Sequence, residues 1–143
     1  EACAKHLDCG SFAGTTLAKN KSGAITGQWH EVIVIAPKAS PMDAEITFAL
    51  TYYDGSQESH SFDMQFMENG QFKLSFSGHL VGRGACTKNG AETSCTYEYG
   101  TMTGDATGTL EFNSAGLKRV QKQTDKKVYS EIHQDLTRVT VLP

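Results

Sequence analysis

Residues 46–76 read ITFALTYYDGSQESHSFDMQFMENGQFKLSF, and three runs of alternating side chains follow one another within them. A period of two is typical of strands that bury one face and expose the other. The runs therefore predict three neighbouring antiparallel strands that share one largely apolar face. The positions assigned to that face are Ile46, Phe48, Leu50 and Tyr52 in the first run, His60, Phe62, Met64 and Phe66 in the second, and Phe72, Leu74 and Phe76 in the third.

The connection between the second and third runs determines how they pair. A two-residue Asn69-Gly70 turn would set Phe66 opposite Lys73 and would mix apolar with polar residues on one face. A three-residue loop, 68–70, keeps the faces separate, and Gly70 provides the left-handed conformation that such loops favour. This loop predicts the pairs Phe66–Phe72, Met64–Leu74 and Phe62–Phe76, and a loop through 54–56 predicts Phe48–Phe62 and Ile46–Met64.

Length and composition predict a single domain, 1–143. The 143 residues are 38% hydrophobic, which is enough to bury a core without metals or cofactors. The net charge of -3 and the pI near 5.9 argue against nucleic acid and acidic membranes as partners. The longest strongly apolar run, 32–36, is too short to span a bilayer, so we expect a soluble, already processed chain.

Four cysteines indicate an oxidising compartment. Cys3 and Cys9 are close in sequence, and a four-residue hairpin loop, 89–92, would set Cys86 directly opposite Cys95. Four cysteines allow three pairings, of which Cys3–Cys9 with Cys86–Cys95 is the natural local choice, and a zinc site is the alternative. Together with the glycosylation sequon at Asn20, this pattern predicts a secreted, extracellular protein.

The remaining segments predict an all-β fold. Residues 1–24 are small and polar and are expected to form an N-terminal arm. A β-branched strand follows at 27–36, and Glu31 within it is either solvated at the strand entry or half-buried. Residues 100–108 are expected to be a loop, and 126–136 fit either a helix or a strand. With about seven to nine strands, the chain is predicted to be an antiparallel barrel or a two-sheet sandwich.

No motif of a known catalytic site is present, so we predict a protein without enzymatic activity and without cofactors. Small secreted hydrolases such as ribonucleases can nevertheless scatter their catalytic residues over a sheet. The nearest set for such a site is His79 with Arg83 and a carboxylate from Glu98 or Glu31. A hydrolase is therefore kept as an alternative function.

A basic cluster lies near the C-terminus, at Lys118, Arg119, Lys122, Lys126 and Lys127. It is a candidate site for a sulfated glycan, a phosphate or an acidic partner protein. The competing interpretation is an edge hairpin whose lysines prevent pairing with other chains. No aromatic residue within the cluster provides a stacking surface for single-stranded nucleic acid.

The apolar face itself is the second candidate site. In a closed barrel it would line a pocket for a small apolar ligand, although side chains of this size can also fill the interior completely. The candidate lining residues are Trp29, Phe48, Leu50, Phe62, Met64 and Phe76.

Two short segments resemble known families. The segment Gly27-Gln28-Trp29 opening a strand resembles the lipocalins, or calycins, and implies a ligand-carrying barrel in which a late arginine, here Arg138, packs over Trp29. Residues 136–143 are similar to the end of the fungal secreted Alternaria major-allergen family, which implies a disulfide-bonded β-barrel. Some members of that family elicit plant defence.

These observations together lead to one functional hypothesis and two alternatives. The hypothesis is a secreted, non-enzymatic protein that recognises a host or partner molecule through its surface, as a microbial elicitor, effector or allergen-like protein does. The alternatives are a calycin-type carrier of a small apolar ligand and a small secreted hydrolase.

Overall fold

The computed structural model describes residues 2–100, 104–125 and 129–139. All regular structure in them is β-strand. The strands are β1 (Ala2–Ala4), β2 (Leu7–Asp8), β3 (Gly10–Lys19), β4 (Ile25–Pro37), β5 (Asp43–Thr51), β6 (Gln57–Phe66), β7 (Gln71–Phe76), β8 (His79–Asn89), β9 (Glu92–Gly100), β10 (Gly104–Phe112), β11 (Gly116–Asp125) and β12 (Tyr129–Val139).

Strands β3 to β12 form a closed antiparallel barrel, in which each strand pairs with its neighbours in sequence and β12 pairs with β3. The all-β antiparallel prediction is confirmed, and the architecture is the barrel and not the sandwich. The barrel has ten strands, more than the seven to nine expected. The segment 126–136, which fits either a helix or a strand in sequence, is a strand from residue 129 onward, because β12 covers Tyr129–Val139, and residues 126–128 lie outside the described residues.

Pairing around the central strands follows the predicted faces, with one change of register. Phe66 pairs with Phe72 and Met64 with Leu74, as expected. Between β5 and β6, however, Ile46 pairs with Phe62, because the connection is the longer turn 52–56, closed by a hydrogen bond from Tyr52 N to Ser56 O. The register differs from the expected one by two residues. An even shift keeps every side chain on its predicted face.

Continued through Leu80 and Val81, the third run would predict one long strand. Instead, a turn at Ser77-Gly78 ends β7 at Phe76 and separates it from β8. Both turn residues have positive φ, 50° and 79°, which is the conformation of a type I′ hairpin turn. Two nearby glycines, Gly82 and Gly84, favour a bulge or bend in this strand, and a bulge is present, since Leu74 pairs with Gly82 and Ser75 with Leu80, leaving Val81 unpaired.

Two segments that were predicted to lie outside the sheet are barrel strands. The expected arm, 1–24, contains β3, which closes the barrel against β12. The expected loop, 100–108, contains most of β10. Both strands place small residues inward, among them Gly14 and Gly108, so these stretches lack the large apolar side chains at every second position that mark the strands in 46–76.

The apolar core fills one end of the barrel. The β1–β2 hairpin lies at this closed end, where Leu7 is 1% exposed and Lys5 N donates to Pro41 O. Cys86 pairs with Cys95 across β8 and β9, and the predicted disulfide joins them. The side chain of Cys3 lies outside the described side chains, so the Cys3–Cys9 bond stays a prediction. The buried residues of the core include Phe12, Ile33, Ile35, Met64, Phe72, Phe112, Leu117 and Leu136.

Candidate ligand-binding pocket

The other half of the barrel contains a cavity of about 510 Å³. This volume lies within the range of about 300–1,000 Å³ that is typical of small-molecule sites. Glu58 and His60 line its outer part, and their side chains remain 51% and 47% exposed, so the cavity reaches solvent at this end. The competing interpretation of the apolar face was an interior completely filled by side chains. The cavity shows that the interior is not completely filled.

One wall of the pocket is apolar and comes from β5, β6 and β7. Its side chains include Ile46, Phe48, Leu50, Phe62, Met64, Phe72 and Leu74. The rings of Phe48 and Phe62 meet edge to face, with centroids 5.9 Å apart, an arrangement favoured by aromatic quadrupoles. Of the six predicted lining residues, five line the pocket. The sixth, Phe76, lies beside it, with its ring centroid 5.3 Å from that of Phe62 and 40% of its surface exposed.

The opposite wall is polar and is centred on Arg119 of β11. In a ring of ten strands β11 lies across from β6, so the polar wall faces Phe62 and Met64. Arg119 is 7% exposed, and its guanidinium carbon lies 4.8 Å from the centroid of the Phe48 ring. A cation over an aromatic face is attracted by the ring, so Arg119 joins the two walls.

Arg119 is held by acceptors from four strands. Its Nη1 donates to Glu31 Oε2 at 3.3 Å and to Gln134 Oε1 at 3.1 Å. Its Nη2 donates to Gln121 Oε1 at 2.7 Å, and its Nε donates to Tyr97 Oη at 2.9 Å. Burial alone would lower the pKa of Arg119, but Tyr97 and Glu31 outweigh it and raise that pKa above its ordinary value. The guanidinium is therefore charged inside the barrel.

Glu31 is the counter-ion, and it is 2% exposed. Its Oε1 accepts from Trp29 Nε1 at 2.9 Å and, more weakly, from Thr16 Oγ1 at 3.5 Å. The expectation of a solvated carboxylate at the strand entry was wrong. Strand β4 turns Trp29, Glu31 and Ile33 inward together, so the carboxylate lies inside the barrel beside the Trp29 indole. A buried carboxylate must be paired and hydrogen-bonded, and Arg119, Trp29 and Thr16 meet this requirement.

Two tyrosines of β9 complete the polar wall. Tyr97 Oη donates to Gln121 Oε1 at 2.6 Å, and Gln121 Nε2 donates to Tyr99 Oη at 3.3 Å. Burial raises the pKa of Tyr97 in spite of the nearby Arg119, so its phenol is protonated at neutral pH. Cys95, Tyr97 and Tyr99 alternate along this strand, and all three face inward.

The predicted basic cluster does not form one surface. Arg119 points into the barrel, whereas Lys118 and Lys122 are exposed on the outer face, and Lys126 and Lys127 lie outside the described residues. Lys118 is paired in register with Glu111 and Asp135, and Lys122 with Glu131, so carboxylates flank both lysines. Strand β11 is also paired on both sides, so the interpretation as a protected edge was wrong.

Of the residues considered for hydrolysis, only Arg83 and Glu98 are shown in contact. Arg83 Nε donates to Glu98 Oε1 at 2.8 Å on the exposed surface, and Glu31 lies inside the barrel. His79 pairs with Phe76 beyond the bulge at Val81. Within the described residues, no group of three or more His, Cys, Asp or Glu side chains is placed to hold a metal ion.

The arginine expected over Trp29 is elsewhere. Arg138 lies over the Phe12 ring, 4.7 Å from its centroid, and donates to Cys9 O at the closed end. Trp29 instead packs near Tyr52, with centroids 6.0 Å apart, and bonds Glu31. Sequence reasoning placed Arg119 in the basic cluster, and it assigned Gln121, Tyr97 and Tyr99 to no site. The signal for the first two was the alternation of Leu117, Arg119, Gln121 and Gln123 with Lys118, Val120 and Lys122.

No helix in the described part of the chain is long and apolar enough to cross a membrane. In comparisons with known proteins, no family model matches the chain, and no curated protein matches it significantly.

Proposed function

We propose that this protein is a carrier that binds one small, mainly apolar molecule inside the barrel. The observation that supports the proposal is the cavity of about 510 Å³, with an apolar wall on β5–β7 and a buried polar wall on β4, β9 and β11. A mostly apolar concavity with a few fixed polar groups is the usual form of a small-molecule site. The apolar wall provides affinity, and the polar wall orients the ligand.

The entrance favours an apolar ligand as well. Large apolar side chains are exposed at the same end of the barrel, near the turns 20–24, 52–56 and 77–78. They are Ile25 at 59%, Tyr53 at 89%, Phe76 at 40% and Leu80 at 66% exposed. An apolar rim reduces the free-energy cost of moving an apolar molecule into the barrel, either from solvent or from another surface that holds the molecule.

The test is a fluorescence titration with N-phenyl-1-naphthylamine, a neutral dye that brightens in apolar surroundings. The wild-type chain is expected to bind the dye at one site, and Leu50→Trp, which fills part of the pocket, is expected to weaken binding by about tenfold or more. The control is Met67→Ala, since Met67 is an exposed apolar residue at the closed end. No binding to the wild type, or equal binding to the wild type and Leu50→Trp, would remove the carrier proposal.

The compartment proposed for this carrier is extracellular, supported by the Cys86–Cys95 disulfide, since such bonds persist in oxidising surroundings. Action as an elicitor, effector or allergen-like protein through the outer surface stays a prediction. Neutralising Lys118 and Lys122 should weaken a salt-sensitive partner interaction if those lysines carry it.

A further inference from the structure

We propose that the pocket selects uncharged apolar molecules that carry a hydrogen-bond acceptor, such as a ketone, ester or amide carbonyl, over carboxylates of the same size. This inference rests on the carrier function proposed above. It is based on two observations: the acceptors of the polar wall are already hydrogen-bonded, and some of its donors are not.

The acceptors of the polar wall are in use. Both oxygens of Glu31 accept hydrogen bonds, from Trp29 and Thr16 on one side and from Arg119 on the other. Gln121 Oε1 accepts from both Arg119 and Tyr97. A ligand group that must donate a hydrogen bond would therefore compete with bonds already formed within the protein.

Donors are left over. Arg119 has five N–H bonds, and four of them find acceptors, one on Nε, two on Nη1 and one on Nη2. The Gln121 amide uses one of its two hydrogens, on Tyr99 Oη, and the Tyr99 hydroxyl hydrogen has no acceptor among the described residues. Arg119 and Gln121 are buried, and a buried donor without a partner costs free energy, so the site favours a ligand that brings an acceptor.

The charges of the wall exclude an anion. The Arg119 cation is already matched by the Glu31 carboxylate. The side chains of Arg119 and Glu31 are 9% and 3% exposed. Glu58, a second carboxylate among the lining residues, contacts His60 at 3.1 Å. A ligand carboxylate would lose its hydration in the barrel and would find no cation that lacks a counter-ion. A neutral carbonyl does not require such a cation.

The experiment compares three ligands of matched shape for their ability to displace the naphthylamine dye. They are benzophenone with a carbonyl, diphenylmethane with no acceptor, and diphenylacetate with a carboxylate. On the wild-type chain, benzophenone is expected to bind about tenfold more tightly than either of the others, as one or two hydrogen bonds would provide.

A substitution tests the reason for the preference. Glu31→Gln leaves an acceptor for Trp29 but removes the counter-charge of Arg119, so diphenylacetate should gain at least tenfold relative to benzophenone. Glu98→Gln is the matched control, because it removes a carboxylate from an exposed arginine pair and should leave the ratio unchanged. If Glu31→Gln does not fold, the wild-type comparison still decides.

The outcomes separate the two proposals. Equal or tighter binding of diphenylacetate to the wild type would overturn the inference and leave a carrier of anions. Equal binding of diphenylmethane and benzophenone would show that the polar wall does not select ligands, which also overturns it. If the dye itself does not bind, the carrier proposal fails first.

Discussion

Arg119 is the residue on which the polar wall depends. It was grouped with the surface lysines because they are its neighbours in sequence. Alternation along β11 places Lys118 and Lys122 outside and Arg119 inside, where it meets Glu31 from β4. The alternation was available from the sequence, but the partner was not, because the two residues are 88 positions apart and meet only when the barrel closes.

We expect Arg119→Met to reduce the free energy of unfolding by about 3–5 kcal/mol, because it leaves the Glu31 carboxylate buried without its counter-ion. Urea unfolding followed by far-ultraviolet circular dichroism measures this change. The double variant Glu31→Gln, Arg119→Met removes both charges and should recover part of the loss.

The matched control is Arg83→Met. Arg83 also bonds a glutamate, at 2.8 Å, but its side chain is 79% exposed. Exposed pairs contribute about 0–1 kcal/mol, so this variant should change stability little. Similar losses for the inner and the outer arginine would contradict the role given to Arg119.

Tyr97 provides a pH dependence. Its folded-state pKa is raised, chiefly by burial, whereas in the unfolded chain it ionises near 10. Between these two values the unfolded chain loses a proton that the folded chain keeps, so stability should fall as pH rises above about 10. Unfolding measured between pH 9 and pH 11 tests this. In Tyr97→Phe the fall should be smaller, and an identical fall would mean that Tyr97 does not contribute.

At the level of the strand, glycines make room for rings on neighbouring strands. A Cβ on Gly108 of β10 would overlap the Tyr97 ring of β9, and one on Gly84 of β8 would overlap the Phe72 ring of β7. These glycines have ordinary φ values, so the requirement is space and not backbone freedom. The rings can therefore lie flat against the barrel wall and leave the pocket open.

Substitution Gly108→Ala is accordingly expected to cost about 1–3 kcal/mol, the usual range for overpacking, and to weaken dye binding because Tyr97 must move. Thermal unfolding and the dye titration measure the two effects. Gly100→Ala is the control, since among the described residues its Cβ would meet only Asp105 Oδ1 at 3.7 Å, an ordinary contact. If Gly108→Ala unfolds at the wild-type temperature and binds the dye as tightly as the wild type, Gly108 is not needed to make room for the Tyr97 ring.

The same glycines explain which elements were missed. The three strands in 46–76 were predicted with the correct faces because each carries large apolar residues at every second position. Strands β3 and β10 turn Gly14, Thr16, Ala106 and Gly108 inward, so the inward positions over these stretches hold small side chains and not large apolar ones. Such strands give only a weak periodic signal in hydropathy.

Over the whole molecule, the barrel is divided into a filled end and a hollow end. Leu7, Phe12, Leu117 and Leu136 pack the closed end, and the next inward position on β11 after Leu117 is Arg119, where the pocket begins. The fold class and most of the apolar lining followed from local patterns. The polar wall did not, because its members come from β4, β9 and β11, their hydrogen-bond partners come from β3 and β12, and closure of the barrel brings these strands together.

The measurement that tests the pocket most directly is a crystal structure of the chain with 4-bromobenzophenone, located by the anomalous signal of bromine. The account predicts one bromine peak inside the barrel against Phe48 and Phe62, with the carbonyl oxygen within hydrogen-bonding distance of Arg119, Gln121 or Tyr99. A barrel that stays empty at saturating ligand, or a peak only on the outer surface, would contradict the claim that this chain carries a ligand within its barrel.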